Sequence, residues 1–152
     1  MILEFYQAFK DLDAEKMVSF YHNEVEFEDP AFGKLKGERA KDMWRMLIAS
    51  QQGKDFIIEF SNVEENEMKA SASWEAKYTF SKTGRKIHNK ISAEFQFKDG
   101  LIIKHVDHFN LHLWAKQAFG LKGLLIGRSN FFKKQLHQQT NKLLNKYQSQ
   151  KG

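Results

Sequence analysis

Residues 95–109 read FQFKDGLIIKHVDHF, and this stretch decides the fold. Apolar and polar residues alternate on both sides of Asp99-Gly100, a dipeptide that is typical of the tight turn of a β-hairpin. The stretch therefore predicts the end of one strand and most of the next. Outward from it, alternation and turn residues predict four consecutive strands, at residues 55–63, 69–80, 86–98 and 101–111.

Helical periodicity precedes these strands. Apolar residues recur at helical spacing in three segments, at residues 2–10, 14–21 and 38–50. Before the third helix, residues 24–28 alternate as a short strand, which ends at Asp29-Pro30 because proline cannot donate to a sheet hydrogen bond. Gly33 and Gly37 then bracket a predicted loop. Since four strands follow without interleaved helices, we expect an α+β domain with one curved antiparallel sheet around the third helix.

The C-terminal part differs from the rest in its charge. No Asp or Glu follows Asp107, whereas eight Lys or Arg residues do, so the first 107 residues carry a net charge of −3 within a chain of net +5. Residues 114–119 predict a helical turn, residues 120–127 are apolar and interrupted by glycines, and a helix is predicted from Ser129 to about Tyr147. We therefore expect residues 1–113 to form the domain and residues 114–152 to form a basic helical extension.

Composition excludes several classes of protein. The 152 residues are enough for one domain, or two at most. The absence of cysteine excludes disulfides, thiolate zinc sites and a cysteine nucleophile. No apolar run approaches the ~18 residues of a membrane span, and the N-terminus has no basic region typical of a signal peptide, so we expect a cytoplasmic protein. Because the excess positive charge is confined to one end, we expect no nucleic-acid partner.

The remaining sequence motifs predict neither a metal nor a cofactor. The histidines have no spacing typical of metal ligands, and His108 alternates to the opposite face of its strand from His105. The stretch GLKGLLIG lacks the Lys-Ser/Thr ending of a phosphate-binding loop. We therefore expect any chemistry to rest on the side chains of the protein itself.

Alternation assigns polar residues to the interior of the sheet. On the last strand Ile103, His105, Asp107, Phe109 and Leu111 share the more apolar face, and Asn89 is predicted to point inward from the strand before it. An interior carboxylate is costly unless it is paired or hydrogen-bonded, and in either case it can accept or donate a proton. The alternative is a His105–Asp107 hydrogen bond that only stabilises the sheet.

Asp29 is a second candidate for proton transfer. It lies at the end of a predicted strand, where side chains often reach a cavity, although Asp-Pro is also a common turn dipeptide. Trp44, Trp74 and Tyr78 are candidates for the wall of a ligand pocket, with ordinary core packing as the alternative.

With these residues in place, the chain resembles the nuclear transport factor 2-like superfamily. This superfamily includes ketosteroid isomerase, scytalone dehydratase and the SnoaL-like polyketide cyclases. The resemblance covers residues 3–113 and rests on YHNEVEFEDPAFGKLKG at residues 21–37, the helix with Trp44, and residues 95–109. Residues 113–127, with the basic helix after them, are similar to a bacterial subfamily. The resemblance implies a cone-shaped curved antiparallel sheet around the N-terminal helices, with an extra C-terminal helix. It also implies an apolar pocket and often a homodimer.

The resemblance also implies roles for individual residues. Asp29 matches the aspartate that ketosteroid isomerase uses as its general base. The isomerase's oxyanion-hole tyrosine corresponds to about Phe5, although Tyr6 is adjacent, and its protonated aspartate falls near Ala93; neither Phe5 nor Ala93 can donate. Steroid isomerisation is therefore not expected, because losing such a donor typically costs about 10²–10³ in rate. His105 and Asp107 resemble the inward His and Asp of cyclases and dehydratases, which need no cofactor.

Two hypotheses for the function follow. The first is a cofactor-independent isomerase, cyclase or dehydratase that acts on an apolar keto or hydroxy compound. In it Asp29 or Asp107 is the base and His105 the acid or orienting partner. The ligand-binding wall would comprise Trp44, Trp74, Tyr78, Asn89 and Phe109. The second hypothesis is a non-catalytic binder of an apolar ligand or a partner protein.

Two surfaces carry further expectations. We expect a homodimer through the outer face of the sheet, which presents Glu94, Gln96, Lys104, Val106 and His108. We expect the basic extension to pack over the open end of the cone through its apolar residues, among them Phe131, Phe132, Leu136, Leu143 and Leu144. Phe119, Leu121 and Leu124 would then form a lid. Binding of the extension to an anionic membrane surface is the alternative that we favour less.

Overall fold

The computed structural model describes residues 1–151, which form six helices and six strands. In chain order these are α1 (Ile2–Lys10), α2 (Ala14–Ser19), β1 (Tyr21–Asp29), β2 (Gly33–Lys36), α3 (Glu38–Gln51), β3 (Ile57–Glu65), β4 (Lys69–Phe80), β5 (Arg85–Lys98), β6 (Leu101–His108), α4 (Leu111–Phe119), α5 (Leu121–Ile126) and α6 (Asn130–Lys151). The predicted α+β class is confirmed: the sheet is curved and open, and helices lie at both ends of the chain.

The six strands form one sheet in the order β2-β1-β6-β5-β4-β3. Neighbouring strands are antiparallel with one exception, because β1 and β6 run parallel. The sequence did not predict this parallel pair. It also did not predict β2, which occupies the expected loop between Gly33 and Gly37 and pairs with the end of β1.

Aromatic side chains connect the N-terminal helices to the inner face of the sheet. Phe9 of α1 meets Trp44 of α3 and Trp74 of β4 edge to face, with ring centroids 5.2 Å apart in both pairs. Phe5 is fully buried and packs edge to face on Phe95 of β5. The helices therefore fill the concave side of the sheet, as predicted.

A bulge in the last hairpin changes which residues of β6 face inward. Gln96 pairs with Lys104 but Phe97 pairs with Ile102, so Ile103 is an extra residue on β6. Ile102 is consequently buried in place of Ile103, and the prediction that Ile103 shares a face with His105 is wrong. Leu111 was also assigned wrongly to that face, because β6 ends at His108 and Leu111 begins α4.

The C-terminal helix packs on the domain through polar contacts more than through its apolar residues. Three side chains of α6 reach the backbone carbonyl groups between β1 and β2. His137 Nε2 lies 2.8 Å from the oxygen of Pro30, Thr140 Oγ1 donates to Ala31 (2.9 Å), and Asn141 Nδ2 donates to Phe32 (3.0 Å). The extension therefore packs on the domain as expected, but polar side chains contribute more to the contact than was predicted.

The apolar residues of the extension follow the prediction only in part, since Leu136 and Leu143 line the cavity described below. Leu144 is fully buried, whereas Leu143 is 53% exposed and Phe131 is 70% exposed. Of the three expected lid residues only Phe119 reaches the cavity described below; Leu121 is 72% exposed. Among residues 1–151, no helix is both long enough and apolar enough to cross a membrane.

Candidate functional site

A cavity of about 280 Å³ lies between the concave face of the sheet and α3, and it is closed on the other side by α4 and α6. Most of its wall is aromatic or aliphatic. Seven of the eight predicted site residues line it: Asp29, Trp44, Trp74, Tyr78, Asn89, Asp107 and Phe109. The exception is His105, which is fully buried behind Asp107 and does not line the cavity.

Asp29 is fixed by the turn that follows β1. Its Oδ1 accepts hydrogen bonds from the backbone N–H groups of Ala31 (2.9 Å) and Phe32 (2.7 Å), an arrangement typical of an aspartate turn. Burial raises the pKa of Asp29 to about 7; the bond from Phe32 opposes this rise, and the nearby charge of Asp107 adds to it. Near neutral pH the Asp29 carboxyl group therefore exists in both protonation states.

Asp107 belongs to a buried chain of hydrogen bonds. Its Oδ1 accepts from the indole N–H of Trp74 (3.3 Å) and is 2.9 Å from His105 Nε2. On the other side of the imidazole, Nδ1 is 2.7 Å from the hydroxyl oxygen of Tyr21, which in turn accepts the indole N–H of Trp44 (2.8 Å).

One assignment of protons satisfies every group in this chain. Since Trp44 donates to the Tyr21 oxygen, the Tyr21 hydroxyl donates to His105 Nδ1, and Nε2–H of the same ring donates to Asp107. Burial raises the pKa of Tyr21 well above its ordinary value, which keeps this hydroxyl protonated and able to donate. His105 thus orients Asp107 from behind, and it makes no contact with the cavity.

Asp29 and Asp107 each have one carboxyl oxygen that accepts no hydrogen bond. Among residues 1–151 the Tyr6 hydroxyl is the only buried side-chain polar atom without a hydrogen-bond partner. The Oδ2 atoms of Asp29 and Asp107 accept no bond from the described residues, so they must be accessible, and both residues line the cavity. The side-chain amide of Asn89 is unpaired in the same way. The cavity therefore presents two carboxyl oxygens and one amide on an apolar wall.

Several residues of the site were missed by sequence reasoning. Tyr21 was assigned to the second helix as an apolar residue, yet it begins β1 and holds His105. Trp114 of α4 donates its indole N–H to the Tyr78 hydroxyl (3.0 Å) at the cavity wall. From α6, Thr140 joins Leu136, which was predicted to cover the open end of the cone, in completing the wall. No local pattern marks these contacts, because each joins segments that are distant in sequence.

The acids and histidines do not form a metal site. No group of three or more His, Cys, Asp or Glu side chains within residues 1–151 is arranged to hold a metal ion. His105 is held by Tyr21 and Asp107, and neither ring nitrogen is free to bind a metal.

Comparison with known proteins agrees with this architecture. The model of the SnoaL-like domain family matches residues 2–105. No curated protein matches the chain significantly.

Solved structures resemble the chain over most of its length. TerC, co-crystallised with polyporic acid, shares 18% identity with a TM-score of 0.64 over 77% of this chain and 94% of its own. An NTF2-like protein of unknown function from Burkholderia pseudomallei shares 16% identity with a TM-score of 0.65 over 78% and 94%. A LEH-like epoxide hydrolase from M. tuberculosis shares 16% identity with a TM-score of 0.60 over 82% and 89%. At these identities the similarity establishes the fold alone.

Proposed function

Because the chain belongs to the SnoaL-like domain family, we propose that its cavity is the active site of a cofactor-independent acid–base enzyme. The reaction class is isomerisation, cyclisation or dehydration of a small apolar keto or hydroxy compound. One observation carries the proposal. Asp29 lines the cavity, one of its carboxyl oxygens is free of hydrogen bonds, and its pKa is raised to about 7.

Asp29 is suited to take a proton from carbon. A general base works best when its pKa lies near the working pH, because it is then both available and strong enough. In the proposed step Oδ2 of Asp29 removes a proton from a carbon next to a carbonyl group, and the electron pair moves to the carbonyl oxygen. The same carboxyl group then returns the proton to another atom of the intermediate.

Two donors on the wall suit the oxygen on which negative charge develops. Asn89 has a free amide N–H. The Tyr78 hydroxyl oxygen accepts from Trp114, so its own proton remains available for a ligand. Donors aimed at a developing oxyanion are typically worth about 10²–10³ in rate each. This pair would replace the donors that Phe5 and Ala93 cannot supply.

Asp107 is proposed as the second proton-exchanging group, with His105 as its positioning residue. Oδ1 of Asp107 is held by Trp74 and His105, which leaves Oδ2 for the ligand. Trp44 and Phe109 complete the apolar surface against which a ligand would lie. At about 280 Å³ the cavity is near the lower end of the roughly 300–1,000 Å³ of ligand pockets, so the ligand is small.

A non-catalytic binder is the second candidate, and one observation favours it. The chain from Trp44 to Asp107 satisfies its own hydrogen bonds without a ligand, as a purely structural network would. In that case the cavity would hold an apolar ligand and Asp29 would only select for its polar group.

Native mass spectrometry followed by isotope exchange separates the two candidates. Wild type and Asp29→Asn are examined for a co-purifying ligand, which is then incubated with fresh protein in D₂O. The enzyme proposal expects deuterium incorporation by wild type that falls about 10²–10⁴-fold in Asp29→Asn, while exposed Glu67→Gln matches wild type. Release of the same unchanged ligand from both proteins, without exchange above buffer, would establish a binder.

We also propose the remaining features predicted from the sequence. Residues 1–113 would form the catalytic domain, with residues 114–152 as an extension that completes the cavity. A homodimer would form through the outer face of the sheet, where a hollow of about 540 Å³ is lined by Glu94, Gln96, Lys104 and Val106, among others. Most side chains that line this hollow are charged or polar, so it suits an interface better than an apolar ligand.

A further inference from the structure

Exposed apolar side chains are concentrated in one short segment of the protein. Six of the ten large apolar residues that are exposed lie between residues 113 and 131. Leu121 is 72% exposed, Leu125 76% and Phe131 70%, so these side chains project into solvent. We call Leu121, Leu124, Leu125, Ile126 and Phe131 the α5 surface.

The orientation of α5 is fixed by close packing on α4. A Cβ atom on Gly123 would lie 1.9 Å from the carbonyl oxygen of Ala115, so only glycine permits this contact. His112 of α4 contacts the Leu124 carbonyl oxygen through Nε2 (2.9 Å). With Gly123 buried, Leu121 and Leu125, which are four residues apart on one helix face, point away from the protein. The α5 surface is therefore preformed.

The segment that carries this surface has charges of a single sign. No Asp or Glu occurs after Asp107, and α5 is flanked by Lys116, Lys122, Lys133 and Lys134. The ammonium groups of these four lysines form no hydrogen bond or ion pair within residues 1–151. By contrast Lys151, at the far end of α6, is paired with Glu38 and Asp42. Along the chain, each of these four bases lies within five residues of a member of the α5 surface.

From this combination we propose that the α5 surface docks on an anionic lipid bilayer. Apolar side chains that enter the interface, bordered by lysines that face anionic headgroups, are the features by which a peripheral helix binds such a membrane. An anionic occupant fits the charge, because the segment offers unpaired lysines and has no Asp or Glu that could bind bases on a partner. A bilayer also accepts protruding leucines without the shaped pocket that a protein partner would have to supply.

Docking and packing use different parts of the same extension. The inner side of α6 is anchored by His137, Thr140 and Asn141, none of which belongs to the α5 surface. The proposal is independent of the activity of the cavity.

Vesicle co-sedimentation of the full chain tests the proposal. The probes are vesicles of about 40% phosphatidylserine in phosphatidylcholine and vesicles of phosphatidylcholine alone, at about 0.1 M and about 0.5 M salt. The variants are Leu121→Ser/Leu125→Ser, Lys116→Gln/Lys122→Gln, and the control Leu3→Ser/Met68→Ser. The control removes apolar side chains that are 58% and 76% exposed but lie outside the segment.

We expect wild type to bind the anionic vesicles and to lose at least about tenfold in affinity in high salt. The double leucine variant should lose about tenfold or more, the double lysine variant several-fold, and the control nothing. Unchanged melting temperatures of the variants verify folding. The proposal is overturned by the absence of binding to anionic vesicles, or by equal losses in the control. It is also overturned if wild type does not bind vesicles and sedimentation shows that Leu121→Ser/Leu125→Ser dissociates an oligomer of the protein. The surface would then be a protein interface.

Discussion

Replacing Asp29 by Asn should make the stability of the protein less dependent on pH. The substitution keeps an oxygen that can accept the backbone N–H groups of Ala31 and Phe32, so the turn after β1 is retained. What it removes is the ability to ionise. The difference in unfolding free energy between wild type and Asp29→Asn therefore reports the energetic cost of a charge at this position.

The size of the effect follows from the pKa of Asp29. Folding raises this pKa from 3.8 to about 7, so the folded protein binds more protons than the unfolded chain between these values, and wild type loses stability as pH rises through this window. A shift of about three pKa units corresponds to about 4 kcal/mol at most. Because the side chain is partly accessible through the cavity, we expect Asp29→Asn to gain about 1–3 kcal/mol over wild type between about pH 5 and pH 8.5.

Urea denaturation at the two pH values measures this gain. Contributions of other titrating groups cancel in the difference between variant and wild type, since both proteins share them. The exposed carboxylate variant Glu67→Gln should show no comparable gain. If the difference in unfolding free energy between Asp29→Asn and wild type is the same at both pH values, Asp29 is not a buried group of raised pKa. The proposal that Asp29 is the general base would then be refuted.

Four further predictions concern the network, the extension and the assembly. Tyr21→Phe leaves the indole N–H of Trp44 and Nδ1 of His105 without a partner and should lower the unfolding free energy by about 2–4 kcal/mol in urea titrations; a change below about 0.5 kcal/mol would contradict the network. Asp107→Asn keeps the acceptor oxygen and should lower the unfolding free energy by only about 1–2 kcal/mol, whereas loss of cooperative unfolding would show that Asp107 is essential for the fold. Arg39→Met removes the hydrogen bonds from α3 to three polar side chains of α6; amide hydrogen exchange should then accelerate in α6 and not in β5, and uniform protection would argue against this anchor. Sedimentation should give a dimer, and a single species of about 18 kDa at high concentration would refute it.

The sequence predicts the sheet and the lining of the cavity well because both depend on local alternation. In a strand, side chains point to opposite faces with a period of two, so the inward positions of Asn89 on β5 and of Asp107 on β6 follow from their neighbours. Turn residues such as Asp99-Gly100 mark where one strand ends and the next begins. These signals lie within a few residues of the positions they determine.

The failures arise where structure depends on distant segments. The bulge at Ile103 is visible only in the pairing of β5 with β6, and alternation alone assigns that residue to the wrong face. Tyr21 continues the apolar pattern of α2, but the parallel pairing with β6 converts it into the start of a strand. The wall supplied by α6 depends on carbonyl groups about a hundred residues away, to which no local pattern refers.

The parallel direction of β1 and β6 is what brings the two candidate acids together. Phe27 pairs with His105, and Asp29 and Asp107 each lie two residues further along their strands. The two carboxyl groups therefore emerge on the same face of adjacent strands. An antiparallel pair in the same register would set Asp29 beside Ile103. Once adjacent, the two acids are distinguished by their surroundings, as paired catalytic carboxyl groups are in other enzymes. Asp107 is held by two side-chain N–H groups, whereas Asp29 is desolvated and bears the additional effect of the Asp107 charge, and together these raise the pKa of Asp29 to about 7.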